Sequence, residues 1–280
     1  MLHHSENKTT VARGQSIATV ICDTKSKETG SRITTLELVY PRYIHSELMT
    51  HRVFSRNASS SRATPLAVTL DEVKNDPVFF DYVGKNQSGM VAGEALKPEE
   101  LDAFREEWET LAYQVASRVE YMAERFNIHK QTLNRALEPF LRIRTLVTAT
   151  EWDNFFTLRL ASDAQPEIKM LAEAMKEAMT KSNPNVGVYH LPYIEDYDSC
   201  SDDDWGKYHK ISVARCARVS YGRLDGKVNS KDEDLALFNR LRASGHMSPF
   251  EHAAYELDGR HANFEGWKSL REFLSDVHGR

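Results

Sequence analysis

The chain has 280 residues, with 36 Lys and Arg against 41 Asp and Glu, a formal net charge of −5. That balance argues against a dedicated DNA- or RNA-binding protein, which needs a basic surface. Hydrophobic residues at 41% and aromatics at 10% supply a real core and exclude wholesale disorder. No apolar run approaches the roughly 18 residues of a membrane span. The opening MLHHSENKTTVARG lacks the apolar middle of a signal peptide. Cys22, Cys200 and Cys216 are odd in number and far apart, which points to reduced thiols in a cytoplasmic protein rather than a disulfide scaffold or zinc knuckle.

Residues 1–15 are polar and are expected to be disordered. Ser16–Cys22 and Ile33–Tyr40 are β-branched or alternating and predict strands. Tyr43–Arg52 reads as a helix after Pro41, and Ser55–Arg62 as a polar loop. Pro98–Phe126 is the clearest helix. Pro98 suits its first turn, Glu99 and Glu100 complement the dipole, and Leu101, Phe104, Trp108, Leu111, Val115, Val119 and Met122 form one apolar stripe. A shorter helix is expected over Lys130–Leu137, a strand over Ile143–Thr148, and a helix capped by Thr150 through Leu160. Pro166 opens another helix, with Ile168, Leu171, Met175 and Met179 on one face. The pattern fails between Ser182 and about Lys207, where Asn183, Pro184, Pro192 and the acidic run Asp202–Asp204 mark an irregular connection, here set at 182–210. Helix resumes near Ser212. Ser230 and Glu233 form a capping box ahead of Leu235, Phe238 and Leu241, Gly245 ends that helix, and Ala253–Leu257 reads as a strand. The organisation expected is therefore a core over 16–181, the connection 182–210, and a segment 211–280 that completes the same domain.

The stretch from His51 to Arg62 packs three arginines (Arg52, Arg56, Arg62), four serines and Asn57 beside a helix end. Guanidinium forks match phosphate oxygens, and hydroxyls complete an anion cradle. Composition alone also allows a merely solvated loop. The pattern H-R-x-x-S-x-N-x-x-S-x-R, here His51, Arg52, Ser55, Asn57, Ser60 and Arg62, resembles the hallmark of the flavin-dependent thymidylate synthases. Asn154-Phe-Phe-Thr-Leu-Arg159, with Ala164-Gln165 and Glu167-Ile168, is similar to that family's N-F-x-x-L-R…A-Q-x-E-I block. Ala217-Arg218-Val219-Ser220-Tyr221 and Gly245-His246-Met-Ser248-Pro249-Phe250-Glu251-His252 resemble its A-R-V-S…G-H-x-[ST]-P-F-E-H block. In the usual family member this last block comes first. Its position at the C-terminus here reads as a circular permutation, cut after S-P-F-E-H, with the old ends joined through 182–210.

The resemblance implies an α/β fold in permuted order, a twisted mixed sheet with flanking long helices, assembled as a homotetramer with active sites shared between subunits. It implies reductive methylation of dUMP to dTMP, with FAD as cofactor and with NADPH and methylenetetrahydrofolate as co-substrates. By the same resemblance Arg159 polarises the uracil, and Ser60, Arg62 and Arg135 join it in holding dUMP. His51, Arg52, Asn154, Ser220, His246, Ser248 and Glu251 would hold FAD. His246, Glu251 and His252 lack H-E-x-x-H spacing and a third ligand, so no metal is expected. Departures from the family pattern are Thr50 in place of an arginine, Ala58 for an acidic or amide residue, Ala63 for a tyrosine, Asp163 for a histidine, and a missing asparagine and arginine in Thr148–Trp152. They keep two alternatives open: hydroxymethylation of a pyrimidine nucleotide, and a non-catalytic nucleotide-binding relative.

Overall fold

Alternating β-branched residues place a sheet at the centre of the chain, with one face for each of two layers. The computed structural model describes residues 8–195, 205–220 and 229–278. Strands β1 (Thr10–Arg13), β2 (Ser16–Ser26), β3 (Arg32–Pro41), β4 (Ser55–Ala58), β5 (Arg142–Ala149) and β6 (Asn185–Gly187) form one sheet in the order β1-β2-β3-β5-β4, with β6 beside β2. Every pairing is antiparallel except β2 with β6, so the sheet is mixed. A second sheet joins β7 (Tyr189–His190), β8 (Ala254–His261) and β9 (Phe264–Ser269).

Helices along the chain are α1 (His45–Met49), α2 (Leu66–Asn75), α3 (Pro98–Phe126), α4 (Lys130–Leu133), α5 (Asp153–Arg159), α6 (Pro166–Lys181), α7 (Trp205–Ala217), α8 (Lys231–Ala243) and α9 (Leu270–His278). One sheet face, with Ala18, Val20, Leu36, Leu38, Tyr40, Ile143 and Val147, buries against Ile168, Leu171, Met175 and Met179 of α6. The opposite face presents Ile21 and Leu146 to Cys216 and Val219 at the end of α7. The C-terminal segment therefore covers the side of the sheet that α6 leaves open. α2 and α3 pack with residues 133–141 around a separate cluster containing Leu70, Val73, Ala116 and Val119.

Several expectations need correction. The N-terminal stretch is not wholly frayed, because Thr10–Arg13 pairs with β2; residues 1–7 lie outside the described residues. The loop Ser55–Arg62 begins as a strand, since β4 finds β5 at Thr145–Thr148. Helix α1 stops at Met49, well short of Arg52. Leu111 is exposed; Val119 of the expected stripe is buried, together with Ala112 and Ala116, small residues that let α3 approach its neighbours closely. The helix expected over Lys130–Leu137 ends at Leu133 and continues as a 3-10 turn. There the buried Asn134 amide donates to the carbonyls of Ser61 and Thr64. Thr150 caps no helix; its hydroxyl accepts the Glu265 N–H at 3.0 Å, and α5 begins at Asp153. The connection 182–210 holds β6 and β7, and α7 starts within it at Trp205. The acidic run Asp202–Asp204, Cys200 and Tyr221 lie outside the described residues.

Helix signals read from the sequence recur in the structure. α3 opens at Pro98 with Glu100 accepting the Lys97 N–H at 3.1 Å. Ser230 and Glu233 form the reciprocal capping box of α8. Gly245 sits at φ +69, and the N–H of His246 bonds back to the Leu241 carbonyl at 3.0 Å, the Schellman closure that a glycine permits. Cys22 and Cys216 are free thiols, both pushed above their usual range by burial, the first to about 11. Among the described residues no helix is long and apolar enough to cross a membrane.

Candidate active site

An edge strand has one open side, and β4 gives that side to the C-terminal segment. The Asn57 amide nitrogen donates to the Cys216 carbonyl at 2.8 Å. The Ser220 hydroxyl lies 3.1 Å from Asn57 Oδ1 and 2.8 Å from the Ala58 carbonyl. Asn57 of the first motif is thus fastened to Ser220 of the last, 163 residues away. Beyond this clamp, the Gly245 turn presents His246, and the 3-10 turn Ser248–Glu251 follows, anchored by a fully buried Phe250. Between these pieces lies a cleft of about 410 Å³. Five expected site residues line it: Ser60, Arg62, Ser220, His246 and Ser248. Arg56 and Gln131 also line it, and neither was singled out from the sequence. For Arg56 the signal was there, a third cation within the motif; for Gln131 there was none.

The cleft wall is rigidly backed. Glu138 takes the Ser61 hydroxyl at 2.6 Å and pairs with Arg42 and Arg135. Arg135 is therefore an exposed arginine held at 3.0 Å by its own turn, and it does not line the cleft. Arg62 is exposed and forms no ion pair among the described residues.

Arg159 belongs to a second cluster. At the end of α5, its Nε donates to His51 Nε2 at 3.0 Å, and one Nη donates to the Glu47 carbonyl at 3.2 Å and the Thr50 hydroxyl at 3.1 Å. His51 is buried, edge-on to Phe155 at 4.9 Å and near-parallel to Phe54. Burial and then the Arg159 and Arg56 charges hold its pKa below the ordinary histidine value. A neutral ring is also what the geometry needs, since Nε2 must accept. Asn154 is exposed on the same short helix, and Arg52 is exposed beside His51. Glu251 turns away from the cleft, pairing with Arg271 and lining a neighbouring hollow of about 340 Å³. Within one chain, then, the expected dUMP and FAD residues fall into separate places: the cleft, the Arg159–His51 cluster, and the Glu251 hollow.

His252 is fully buried and structural. Its Nδ1 meets the Thr148 hydroxyl at 2.8 Å, and Thr148, Thr35, His190 and Thr24 continue the chain of bonds across the sheet. Arg218 is structural too, sharing the fully buried Asp234 carboxylate with Arg215. Among the described residues no group of three or more His, Cys, Asp or Glu side chains converges as a metal site.

A mixed sheet covered on both faces, with an arginine- and serine-lined cleft at its β4 edge, defines an α/β protein. The sequence profile of the thymidylate synthase complementing protein family matches residues 31–185, more than half of the chain, and the chain belongs to that family. The matched segment carries the first two motif blocks and excludes the third. No curated protein matches the chain. Among solved structures, the UMP/dUMP methylase PolB from Streptomyces cacaoi, bound with 5-Br UMP, is similar at 15% identity and a TM-score of 0.50, covering 62% of this chain and 92% of that one. The same protein bound with 5-Br dUMP is similar at 18% identity and a TM-score of 0.46, covering 61% and 92%. Thymidylate Synthase X from Helicobacter pylori with FAD and dUMP is similar at 21% identity and a TM-score of 0.35, covering 52% and 67%.

Proposed function

We propose that the protein is a flavin-dependent thymidylate synthase, methylating dUMP with a carbon from methylenetetrahydrofolate. The observation that carries this reading is the single cleft that joins Ser60 and Arg62 of the first motif to Ser220, His246 and Ser248 of the last. It suits a phosphorylated ligand, because its arginines form no ion pair among the described residues and Ser60, Ser220 and Ser248 line the same space. In this reading Ser60 and Arg62 grip the phosphate of dUMP, and Arg135, which does not line the cleft, is assigned to dUMP by the family resemblance alone. His51, Arg52, Asn154, Ser220, His246, Ser248 and Glu251 are the residues that would hold FAD. When bound, the reduced flavin supplies the hydride, and NADPH restores it.

Arg159 polarises the pyrimidine. A guanidinium fixed by His51, Thr50 and the Glu47 carbonyl needs no reorganisation as negative charge builds on the ring. Arg159 and Asn154 lie outside the cleft lining of their own chain, so in this reading they serve the cleft of another subunit of a homotetramer. The C-terminal block completes the family's site in rotated order. A chain reordered to run from residue 205 to the C-terminus and then through residues 8–195 is expected to fold and bind flavin, and failure to do either removes the permutation.

The purified protein is expected to be yellow and to release tritium from C5-labelled dUMP when given NADPH and methylenetetrahydrofolate. Arg159→Ala should lower turnover by about 100-fold or more and leave the flavin colour. A colourless, inert, folded protein refutes the proposal, and activity within a few fold after Arg159→Ala refutes that residue's role. Hydroxymethylation is the second reading, motivated by the departures from the family pattern at Thr50, Ala58, Ala63 and Asp163. Mass spectrometry of the product separates the two by one oxygen.

A further inference from the structure

Arg56 is a cation held in place by backbone carbonyls and without an ion pair among the described residues. It is half-buried on β4 and lines the cleft beside Arg62. One Nη donates to both the Met49 carbonyl at 2.8 Å and the His51 carbonyl at 3.0 Å. Those bonds fix the guanidinium plane through a single nitrogen. Its other N–H groups make no hydrogen bond among the described residues, and no carboxylate pairs with it. Burial makes its charge costlier, and the acid that acts on it, Glu251, is already engaged by Arg271. A half-buried guanidinium with free donors, whose nearby acid is shared with Arg271, is suited to an anion arriving from outside. Arg62, also without an ion pair among the described residues, lines the same cleft, so two arginines border one space.

We propose that Arg56 is a specificity-determining residue that grips, together with Arg62, the phosphate oxygens of the ligand in this cleft. The proposal rests on the reading that the cleft receives a phosphorylated nucleotide. Two sources share that chemistry, a nucleoside monophosphate substrate and the diphosphate of a dinucleotide cofactor. Two arginines suit either a doubly charged monoester or a diphosphate bridge.

The test is calorimetric titration of the full-length protein with dUMP, deoxyuridine, FAD, riboflavin and inorganic pyrophosphate. Arg56→Gln is expected to weaken the phosphate-bearing ligand of the cleft by about 10- to 100-fold, the range for a charge-assisted hydrogen bond, while deoxyuridine and riboflavin shift less than about twofold. Loss on dUMP assigns the monoester, and loss on FAD the diphosphate. Arg56→Lys keeps the charge without the fork and should fall between wild type and Gln. It also decides the matter should Arg56→Gln lower the thermal midpoint by disturbing the Met49–His51 turn. If either folded variant binds dUMP, FAD and pyrophosphate as the wild type does, Arg56 grips no phosphate and the proposal falls. If the wild type binds pyrophosphate but neither nucleotide, and Arg56→Gln loses it, the nucleotide reading fails while the role of Arg56 stands. A wild type that binds none of the three overturns both.

Discussion

Replacing Asn57 by alanine removes the clamp that fastens β4 to the end of α7. Two losses follow. The Cys216 carbonyl, in a residue with 0% exposure, loses its side-chain donor but keeps the Val219 N–H at 3.3 Å, at a cost of about 0.5–1.5 kcal/mol. The Ser220 hydroxyl keeps the Ala58 carbonyl, so the second loss is smaller, about 0.5 kcal/mol. The expected destabilisation is therefore about 1–2 kcal/mol, with the thermal midpoint lowered by several degrees, at about 2–4 °C per kcal/mol for a chain of this size. Ser220→Ala alone should cost about 1 kcal/mol. The double variant should cost less than the two singles together by about 0.5–1 kcal/mol, because the singles share one bond. Urea unfolding of the four proteins gives the cycle, and titration with dUMP or FAD should show weaker binding in each variant. Strict additivity within about 0.3 kcal/mol, with the Asn57→Ala midpoint unchanged, would mean that the two motif blocks do not hold one another and that the cleft is not built as described.

Stability should fall with acid through the buried histidines. Burial depresses His190 and His252 to about 3, against 6.5 for the free side chain, so both stay neutral in the fold while the unfolded chain takes up protons. Their contribution is complete above about pH 6.5 and is lost as pH falls towards 3, at about 1.4 kcal/mol per pH unit for each. Urea midpoints between pH 7.5 and about 4.5 check this, and His252→Asn should flatten the slope by the share of one histidine; an unchanged slope counts against it. Asp234→Ala should be more damaging than Asn57→Ala, by chemical denaturation about 3–5 kcal/mol, since it strands Arg215 and Arg218 around a space with 0% exposure. A cost below about 1 kcal/mol would show that the ion triad does not join α7 to α8.

How far the chain could be read from its residues follows from the range of the forces involved. α3, α6 and α8 were legible because their stripes and caps are local. Pro98, Pro166 and the Ser230–Glu233 pair each act within one turn. β4 was hidden because Ser-Arg-Asn-Ala has no strand composition; its pairing comes from Thr145–Thr148, almost a hundred residues on. α2 follows a loop too closely to stand out, and β9 is interrupted by Gly266, whose φ of +72 lets the strand pass Ser31 and Thr29. The motif resemblance named the site residues, but no local signal says which of them share a wall. Ser248 and Glu251 stand three residues apart and line different hollows, because Arg271 of α9, an element the sequence did not reveal, draws Glu251 away.

Thr50 ties the cleft to the Arg159 cluster and shows why the family's arginine is absent there. Its hydroxyl donates to the Glu47 carbonyl at 2.7 Å and accepts from Arg159 at 3.1 Å, and the carbonyls on either side, of Met49 and His51, take Arg56. Two guanidiniums thus grip one turn. A third at position 50 would meet both at short range, where like charges repel by about 1–4 kcal/mol at 4 Å, depending on local solvation. It would also lose both bonds of the Thr50 hydroxyl. In the reading proposed for Arg56, that residue, second in the strand, supplies the positive charge missing at position 50. Thr50→Arg should therefore lower the thermal midpoint by several degrees and weaken dUMP binding rather than improve it. Thr50→Arg with Arg56→Tyr should recover much of both, measured by thermal unfolding and titration. A single Thr50→Arg variant that is as stable as the wild type and binds dUMP more tightly would show that the turn has room for a third cation and that Arg56 does not replace one.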